Sequence, residues 1–168
     1  MTITLIGMPG SGKSCMGRAL AGKLNMRNVD ADKIIERVTG RDLQDIINED
    51  GLDAFKKIEE EILLTINDDN VIVSTGGSAV YYDSVMRHFK SIGKVVYLYV
   101  SFETMLARLG DYSKRGIAMK DGQTIQDLYN ERARLYEKYA DITINCDGNA
   151  YPKYQAAAVK AIKEAMEK

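Results

Sequence analysis

The chain has 168 residues, of which 45% are hydrophobic and 28% charged, and its net charge is -1. This length predicts one domain, residues 1–168, that can bury a core without metals or disulfides. The balanced charge gives no electrostatic reason to expect a nucleic acid or an anionic membrane as a partner. No apolar run approaches the roughly 20 residues that cross a bilayer. The first residues also lack the basic and apolar segments of a secretion signal. We therefore expect a cytoplasmic monomer.

Strand and helix patterns alternate along the chain. Five short segments predict strands, at 2–6, 28–30, 71–75, 95–100 and 142–145, and three of them are near-continuous apolar runs. Apolar residues at intervals of three and four predict helices at 13–25, 53–67, 83–91, 102–109, 124–140 and 153–167. Alternating elements pair in parallel through right-handed crossovers. The pattern therefore predicts an α/β fold with a doubly wound, five-stranded parallel sheet and helices on both faces.

The segment 111–124 interrupts this pattern. It reads DYSKRGIAMKDGQT, which is polar and contains two glycines and three basic residues. A loop of this length in a compact domain is uncommon unless it is a lid or is disordered. We interpret it as a mobile lid that orders over bound ligands and excludes water.

Residues 7–14 read GMPGSGKS, between a predicted strand and a predicted helix. This is the phosphate-binding pattern G-x-x-x-x-G-K-S/T in the context that it requires. Its backbone N–H groups surround the phosphates, the lysine reaches the β and γ oxygens, and the hydroxyl binds Mg²⁺. The motif predicts that ATP and Mg²⁺ are cofactors. The predicted nucleotide-binding residues are Gly10, Ser11, Gly12, Lys13, Ser14 and Cys15.

Two absences in the sequence narrow the class of nucleotide-binding protein. No Asn-Lys-x-Asp motif for reading guanine occurs, which argues against a switch GTPase. The strand at 71–75 runs into Gly76 and Gly77 and not into an acidic residue, unlike most P-loop motors. An acid for the metal must therefore come from elsewhere, and Asp30 and Asp32 are the nearest candidates.

Several short motifs follow the phosphate loop in a characteristic order. They are Asp30-Ala31-Asp32, Phe55-Lys56-Lys57-Ile58-Glu59-Glu60, Ser74-Thr75-Gly76-Gly77-Ser78-Ala79-Val80, Arg108, Arg115 and Arg132-Ala133-Arg134-Leu135-Tyr136. Each motif alone is weak, but their order and spacing are specific. The ensemble resembles the shikimate kinase family, whose fold is that of the P-loop kinases similar to nucleoside-monophosphate kinases, over essentially the whole chain.

The resemblance implies roles for the acidic residues and for the glycine turn. Asp30 would support Mg²⁺ through water, together with Ser14. Asp32 would accept hydrogen bonds from substrate hydroxyls and would orient or deprotonate the attacking hydroxyl. Gly76 and Gly77 would contact the substrate through backbone N–H groups.

The resemblance also implies roles for the basic residues. Lys56 and Arg132 would bind a substrate carboxylate, and the lid residue Arg115 would contact both phosphate and substrate. Arg108 would pack against adenine. The implied partner is a small hydroxylated acid, and the implied reaction converts shikimate to shikimate 3-phosphate with ATP. Lys13, Asp32 and Arg115 would then be the catalytic residues.

The sequence departs from the family pattern only on the acceptor side. Lys56 stands where the family has arginine, Ser78 replaces a third glycine, the lid reads RGIAM in place of R-P-L-L, and Arg134 stands at a proline position. Two alternatives therefore stay open: a kinase of another polyhydroxylated acid such as gluconate, or a nucleotide-binding regulatory module. Asp30 and Asp32 could also merely cap a helix. Lys56 could form ion pairs on a solvated helix face.

Overall fold

A computed structural model describes residues 1–148 and 150–167 of the chain. In these residues one parallel sheet contains five strands and carries eight α-helices. The strands are β1 (Thr2–Ile6), β2 (Arg27–Asp30), β3 (Val71–Ser74), β4 (Gly93–Tyr99) and β5 (Ile142–Asn145). The helices are α1 (Lys13–Leu24), α2 (Ala31–Thr39), α3 (Leu43–Asp50), α4 (Leu52–Leu64), α5 (Asp83–Ile92), α6 (Phe102–Leu109), α7 (Ile125–Tyr139) and α8 (Tyr151–Met166).

The strand order is β2-β3-β1-β4-β5, and every pairing is parallel. All five residues of the central strand β1 are buried, because helices cover both of its faces. The predicted doubly wound α/β sheet and its five strands are thus confirmed. Since all strands run the same way, their carboxyl ends meet at one edge of the sheet, where ligands bind in open α/β folds.

Helix α2 was considered only as a helix that Asp30 and Asp32 could cap, and α3 was not predicted. Both are short and charged, and each buries few side chains, chiefly Ile35 and Ile46. These two isoleucines form a second apolar cluster with Phe55 and Ile62 of α4 and with Ala118 of the 111–124 segment. The second cluster thus supports one wall of the cleft at the carboxyl edge of the sheet.

No helix in residues 1–148 and 150–167 combines the length and the low polarity that crossing a membrane requires.

Candidate active site

The phosphate loop connects the end of β1 at Ile6 to the start of α1 at Lys13. Gly10 and Gly12 have φ angles of 80° and 91°, which residues with side chains rarely adopt. Among the residues that the structure describes, the buried hydroxyl of Ser11 has no hydrogen-bond partner. Buried polar groups in proteins are nearly always paired, so this hydroxyl suits a ligand that brings acceptor oxygens. The loop therefore fits a phosphate group.

Lys13 lies at the mouth of the loop with 8% of its surface exposed. Its ammonium donates to the carbonyl oxygens of Gly7 and Met8, both at 2.8 Å. An ammonium has three hydrogens, so one is left for a further acceptor. Burial lowers the pKa of Lys13 to about 8, although the nearby Asp32 carboxylate opposes this shift.

Asp30 fits both interpretations that the sequence allowed, a helix cap and a metal-site residue. Its Oδ1 accepts from the backbone N–H of Asp32 at 3.1 Å and caps α2. Its Oδ2 accepts from the Ser14 hydroxyl at 2.7 Å. The structure thus places the two predicted metal-site residues in direct contact beside the phosphate loop. Oxygen ligands of this kind suit Mg²⁺, which keeps several waters and binds phosphate oxygens.

A cavity of about 320 Å³ opens beside the phosphate loop. Asp32 lines it from the start of α2, Arg115 from the 111–124 segment and Arg132 from α7. Burial and the neighbouring Asp30 charge raise the pKa of Asp32 to about 6. The Asp32 carboxyl is therefore ionised at neutral pH but is close to its midpoint, as a general base requires.

Gly76 and Gly77 follow β3 and bring backbone into close contact with charged side chains. A Cβ on Gly76 would lie 2.9 Å from Asp32 Oδ1 and 3.0 Å from Glu59 Oε1. A Cβ on Gly77 would lie 2.7 Å from Arg132 Nη1. A side chain at either glycine would therefore displace a charged side chain of the cavity wall.

Glu59 lines the same cavity and was not among the predicted site residues. It is 1% exposed, and its Oε2 accepts from Ser78 Oγ at 2.6 Å and from the Tyr82 hydroxyl at 2.9 Å. Burial raises the pKa of Glu59 to about 7, and the two hydrogen bonds oppose the rise. Ser78, the residue in place of a third glycine, thus holds a buried carboxyl group. The sequence signal that could have identified Glu59 is its spacing: it lies four residues after Phe55 and three before Ile62, on the buried face of α4.

Arg132 is 1% exposed and is the largest fully buried side chain in the described part of the chain. Its Nη2 donates to the Ala118 carbonyl oxygen at 2.7 Å. The backbone N–H of Gly116 donates to Gln44 Oε1 at 2.8 Å, and Ile117 also lines the cavity. The predicted lid therefore lies over the cavity. Its mobility stays a prediction.

Three other basic residues from the predicted motifs do not line this cavity. The Lys56 ammonium lies 5.5 Å from the centroid of the Tyr81 ring. Arg108 donates from Nη2 to the carbonyl oxygens of Cys146 and Gly148, at 2.7 and 2.9 Å, on the β5 side of the sheet. Arg134 is exposed on α7, so its replacement of a proline leaves the cavity wall unchanged.

Cys15 lies at the start of α1, is exposed and borders the cavity. Its thiol is 3.4 Å from the Tyr151 hydroxyl. Its predicted part in nucleotide binding depends on the backbone N–H at the helix start and not on this thiol.

Comparisons with known proteins agree with the geometry. A family model described as "Shikimate kinase" matches residues 9–166. The chain is 39% identical over 146 residues to the shikimate kinase of a Sulfurihydrogenibium species, covering 86% of this chain and 87% of that protein. It is 34% identical to the shikimate kinase of Vibrio parahaemolyticus, over 96% of each chain. A solved structure of Acinetobacter baumannii shikimate kinase in complex with shikimate superimposes with a TM-score of 0.88 at 30% identity, covering 97% and 93% of the two chains.

Proposed function

Since this chain belongs to the shikimate kinase family, we propose that it transfers the γ-phosphate of ATP, with Mg²⁺, to the 3-hydroxyl of shikimate. The family and the enzyme class inferred from the sequence, a phosphotransferase with an alcohol acceptor, are confirmed by these relatives. The observation that carries the proposal for this chain is one cavity bordered by Lys13, Asp32 and Arg132. This cavity combines a cation for a phosphate donor, a cation for an anionic acceptor and a carboxylate.

The donor side of the proposed site consists of the phosphate loop and the Ser14–Asp30 pair. The N–H groups of residues 10–15 and the Lys13 ammonium would hold the phosphates. Ser14 and Asp30 would hold Mg²⁺, which supplies positive charge to the phosphate oxygens when bound. Arg108 would lie against the adenine.

On the acceptor side, the Asp32 carboxylate would accept the hydrogen bond of the attacking hydroxyl and take its proton. Arg115 and Lys13 would stabilise the charge of the transferred phosphoryl group, because phosphoryl transfer needs positioning and donors more than covalent chemistry. Arg132 would pair with the carboxylate of shikimate, and the N–H groups of Gly76 and Gly77 would donate to the same molecule. The direct contact between Lys56 and the acceptor stays a prediction that its position over Tyr81 does not support.

A coupled assay of ADP formation with shikimate and ATP tests the proposal. We expect shikimate-dependent turnover. No turnover at millimolar shikimate, from a folded protein that binds ATP, would overturn the proposal. Turnover with gluconate or a related acid would then identify another small-acid kinase, and nucleotide binding without any acceptor would identify a regulatory module.

Asp32→Asn tests the mechanism in the same assay. We expect kcat to fall by about 10²- to 10⁴-fold, the usual contribution of a positioned base, while ATP binding is retained. Asp53→Asn is the matched control, because Asp53 is exposed in the first turn of α4 and does not line the cavity. Full activity of the Asp32 variant would remove this carboxylate from the mechanism.

A further inference from the structure

Tyr81 lies between the acceptor cavity and the end of the lid. It ends the short 3-10 helix Ala79–Tyr81, which follows the Gly76–Gly77 turn directly, and its side chain is half-buried. The Arg132 guanidinium carbon lies 5.3 Å from the centroid of its ring, and the Lys56 ammonium lies 5.5 Å from it. Both separations are within the roughly 6 Å over which a cation is attracted to an aromatic face.

The nitrogens of Arg132 have different neighbours. Nε donates to the Tyr81 hydroxyl at 3.3 Å, and Nη2 donates to the Ala118 carbonyl at 2.7 Å. Nη1 is the nitrogen that a Cβ on Gly77 would approach to 2.7 Å. Because Nε is hydrogen-bonded to Tyr81, the opposite edge of the guanidinium, formed by Nη1 and Nη2, faces the cavity residues Gly77 and Ala118. Nη1 and Nη2 carry four hydrogens; in the described part of the chain one goes to the Ala118 carbonyl and Tyr136 also hydrogen-bonds to this guanidinium, so at least two remain. Two parallel N–H groups are the arrangement that binds a carboxylate in two places.

The Tyr81 hydroxyl is itself fixed by a carboxylate. It donates to Glu131 Oε2 at 2.7 Å, which leaves its oxygen free to accept from Arg132. The same carboxylate oxygen accepts from Gln123 Nε2 at 3.1 Å, and the Lys120 ammonium lies 3.6 Å from the other oxygen. The hydrogen bond from Tyr81 is the largest cause that lowers the pKa of Glu131, so its charge is retained at neutral pH. The lid residues Lys120 and Gln123 are thus connected to the acceptor-binding arginine.

We propose that Tyr81 is a positioning residue for the acceptor: its hydroxyl and ring hold the Arg132 guanidinium so that the Nη1–Nη2 edge receives the carboxylate of shikimate. This inference rests on the proposed function. It names the residue that would allow Arg132 alone to bind the carboxylate, without an arginine at position 56. Lys56 acts in this arrangement through the Tyr81 ring and not as a direct ligand of the carboxylate.

Tyr81→Phe and Tyr81→Leu test the inference. The first variant removes the hydroxyl and keeps the ring, and the second removes both. For Tyr81→Phe we expect the Kd of shikimate, by calorimetric titration, and its KM to rise about five- to tenfold, which is the contribution of one ordinary hydrogen bond. For Tyr81→Leu we expect a larger rise. The KM of ATP should stay within about twofold of the parent value, because in the described part of the chain the hydrogen bonds and cation contacts of the Tyr81 side chain go to Glu131, Arg132 and Lys56 and none to the phosphate loop.

Tyr139→Phe is the matched control. Its hydroxyl also donates to a carboxylate, Asp83 Oδ1, at 2.6 Å, but Tyr139 does not line the acceptor cavity. It should change the melting temperature without changing the KM of shikimate. Glu131→Gln is a second, milder variant that keeps Tyr81 and weakens the hydrogen bond from its hydroxyl to residue 131. We therefore expect a rise of about two- to threefold in the KM of shikimate.

The outcomes separate this inference from the proposed function. If the parent protein neither binds nor phosphorylates shikimate, both are overturned. If the parent is active and the two Tyr81 variants keep its Kd and KM for shikimate, only the role of Tyr81 is overturned. Equal rises in the KM of shikimate and of ATP, matched by Tyr139→Phe, would identify Tyr81 as a structural residue and would also overturn the inference.

Discussion

Glu59→Gln should change how the stability of this protein depends on pH. The folded protein raises the pKa of this carboxyl from 4.5 to about 7, chiefly because the group is buried. Below pH 4.5 the carboxyl is protonated in both the folded and the unfolded chain. Between pH 4.5 and about 7 the unfolded chain releases this proton while the folded chain retains it. The free energy of unfolding therefore falls as pH rises through this interval, and the full loss remains above pH 7.

The size of the effect follows from the two pKa values. Each pKa unit corresponds to about 1.4 kcal/mol, so the group lowers the free energy of unfolding by about 3 kcal/mol at pH 8 relative to acid. Glutamine does not titrate, and Asp32 remains in both proteins. The free energy of unfolding of Glu59→Gln minus that of the parent should therefore be about 2 to 3 kcal/mol larger at pH 8 than at pH 5.

Urea denaturation of both proteins at pH 5 and pH 8 measures this difference. Any hydrogen bond that glutamine fails to make with Ser78 or Tyr82 affects both pH values alike, so the comparison isolates the titration. Glu61→Gln, on an exposed position two residues along α4, is the matched control for the same substitution at the surface. The reasoning is refuted if Glu59→Gln gives a difference independent of pH.

Three further predictions concern activity with shikimate. The profile of kcat/KM against pH should be bell-shaped. It should fall below about pH 6 as Asp32 gains a proton and above about pH 8 as Lys13 loses one. Steady-state rates from pH 5 to 9 measure the profile, and a flat profile would mean that neither group titrates in this range. Gly76→Ala places a methyl group 2.9 Å from Asp32 Oδ1 and should lower kcat/KM by about tenfold or more. Its control is Gly22→Ala, where a Cβ would meet open space, and this variant should keep full activity. Lys56→Met should raise the KM of shikimate by less than about threefold, since its ammonium lies over an aromatic ring outside the cavity, whereas a rise of a hundredfold would mean that it contacts the acceptor directly.

The parts of the fold that the sequence predicted are those with strong local patterns. Near-continuous apolar runs identified three of the five strands, because a strand covered on both faces has no exposed side. The other two, β2 and β5, are short and partly exposed. The same reasoning missed α2 and α3, where isolated apolar residues such as Ile35 and Ile46 stand among charged ones. Their partners lie on α4, so their burial is visible only once the chain is folded.

The acceptor side of the site shows the same difference between residues that a local motif identifies and residues that only the folded chain identifies. Asp32 and Arg132 were named from motifs and both line the cavity. The position of Lys56 was not predictable, since a long flexible side chain goes where its tertiary neighbours attract it. Glu59 was overlooked because helices carry many acidic residues, and its spacing on the buried face of α4 was a weaker signal than its partners Ser78 and Tyr82, which only the folded chain shows.

The sequence by itself predicted a phosphate-binding loop, because its glycines, lysine and serine form one contiguous segment between a strand and a helix. It also determined the sheet class, because strand and helix periodicities are local. Only the tertiary structure decided the acceptor side. The cavity joins residues from α2, α4, the turn after β3, the lid and α7, and their distances, pKa values and hydrogen bonds depend on how these distant segments pack together.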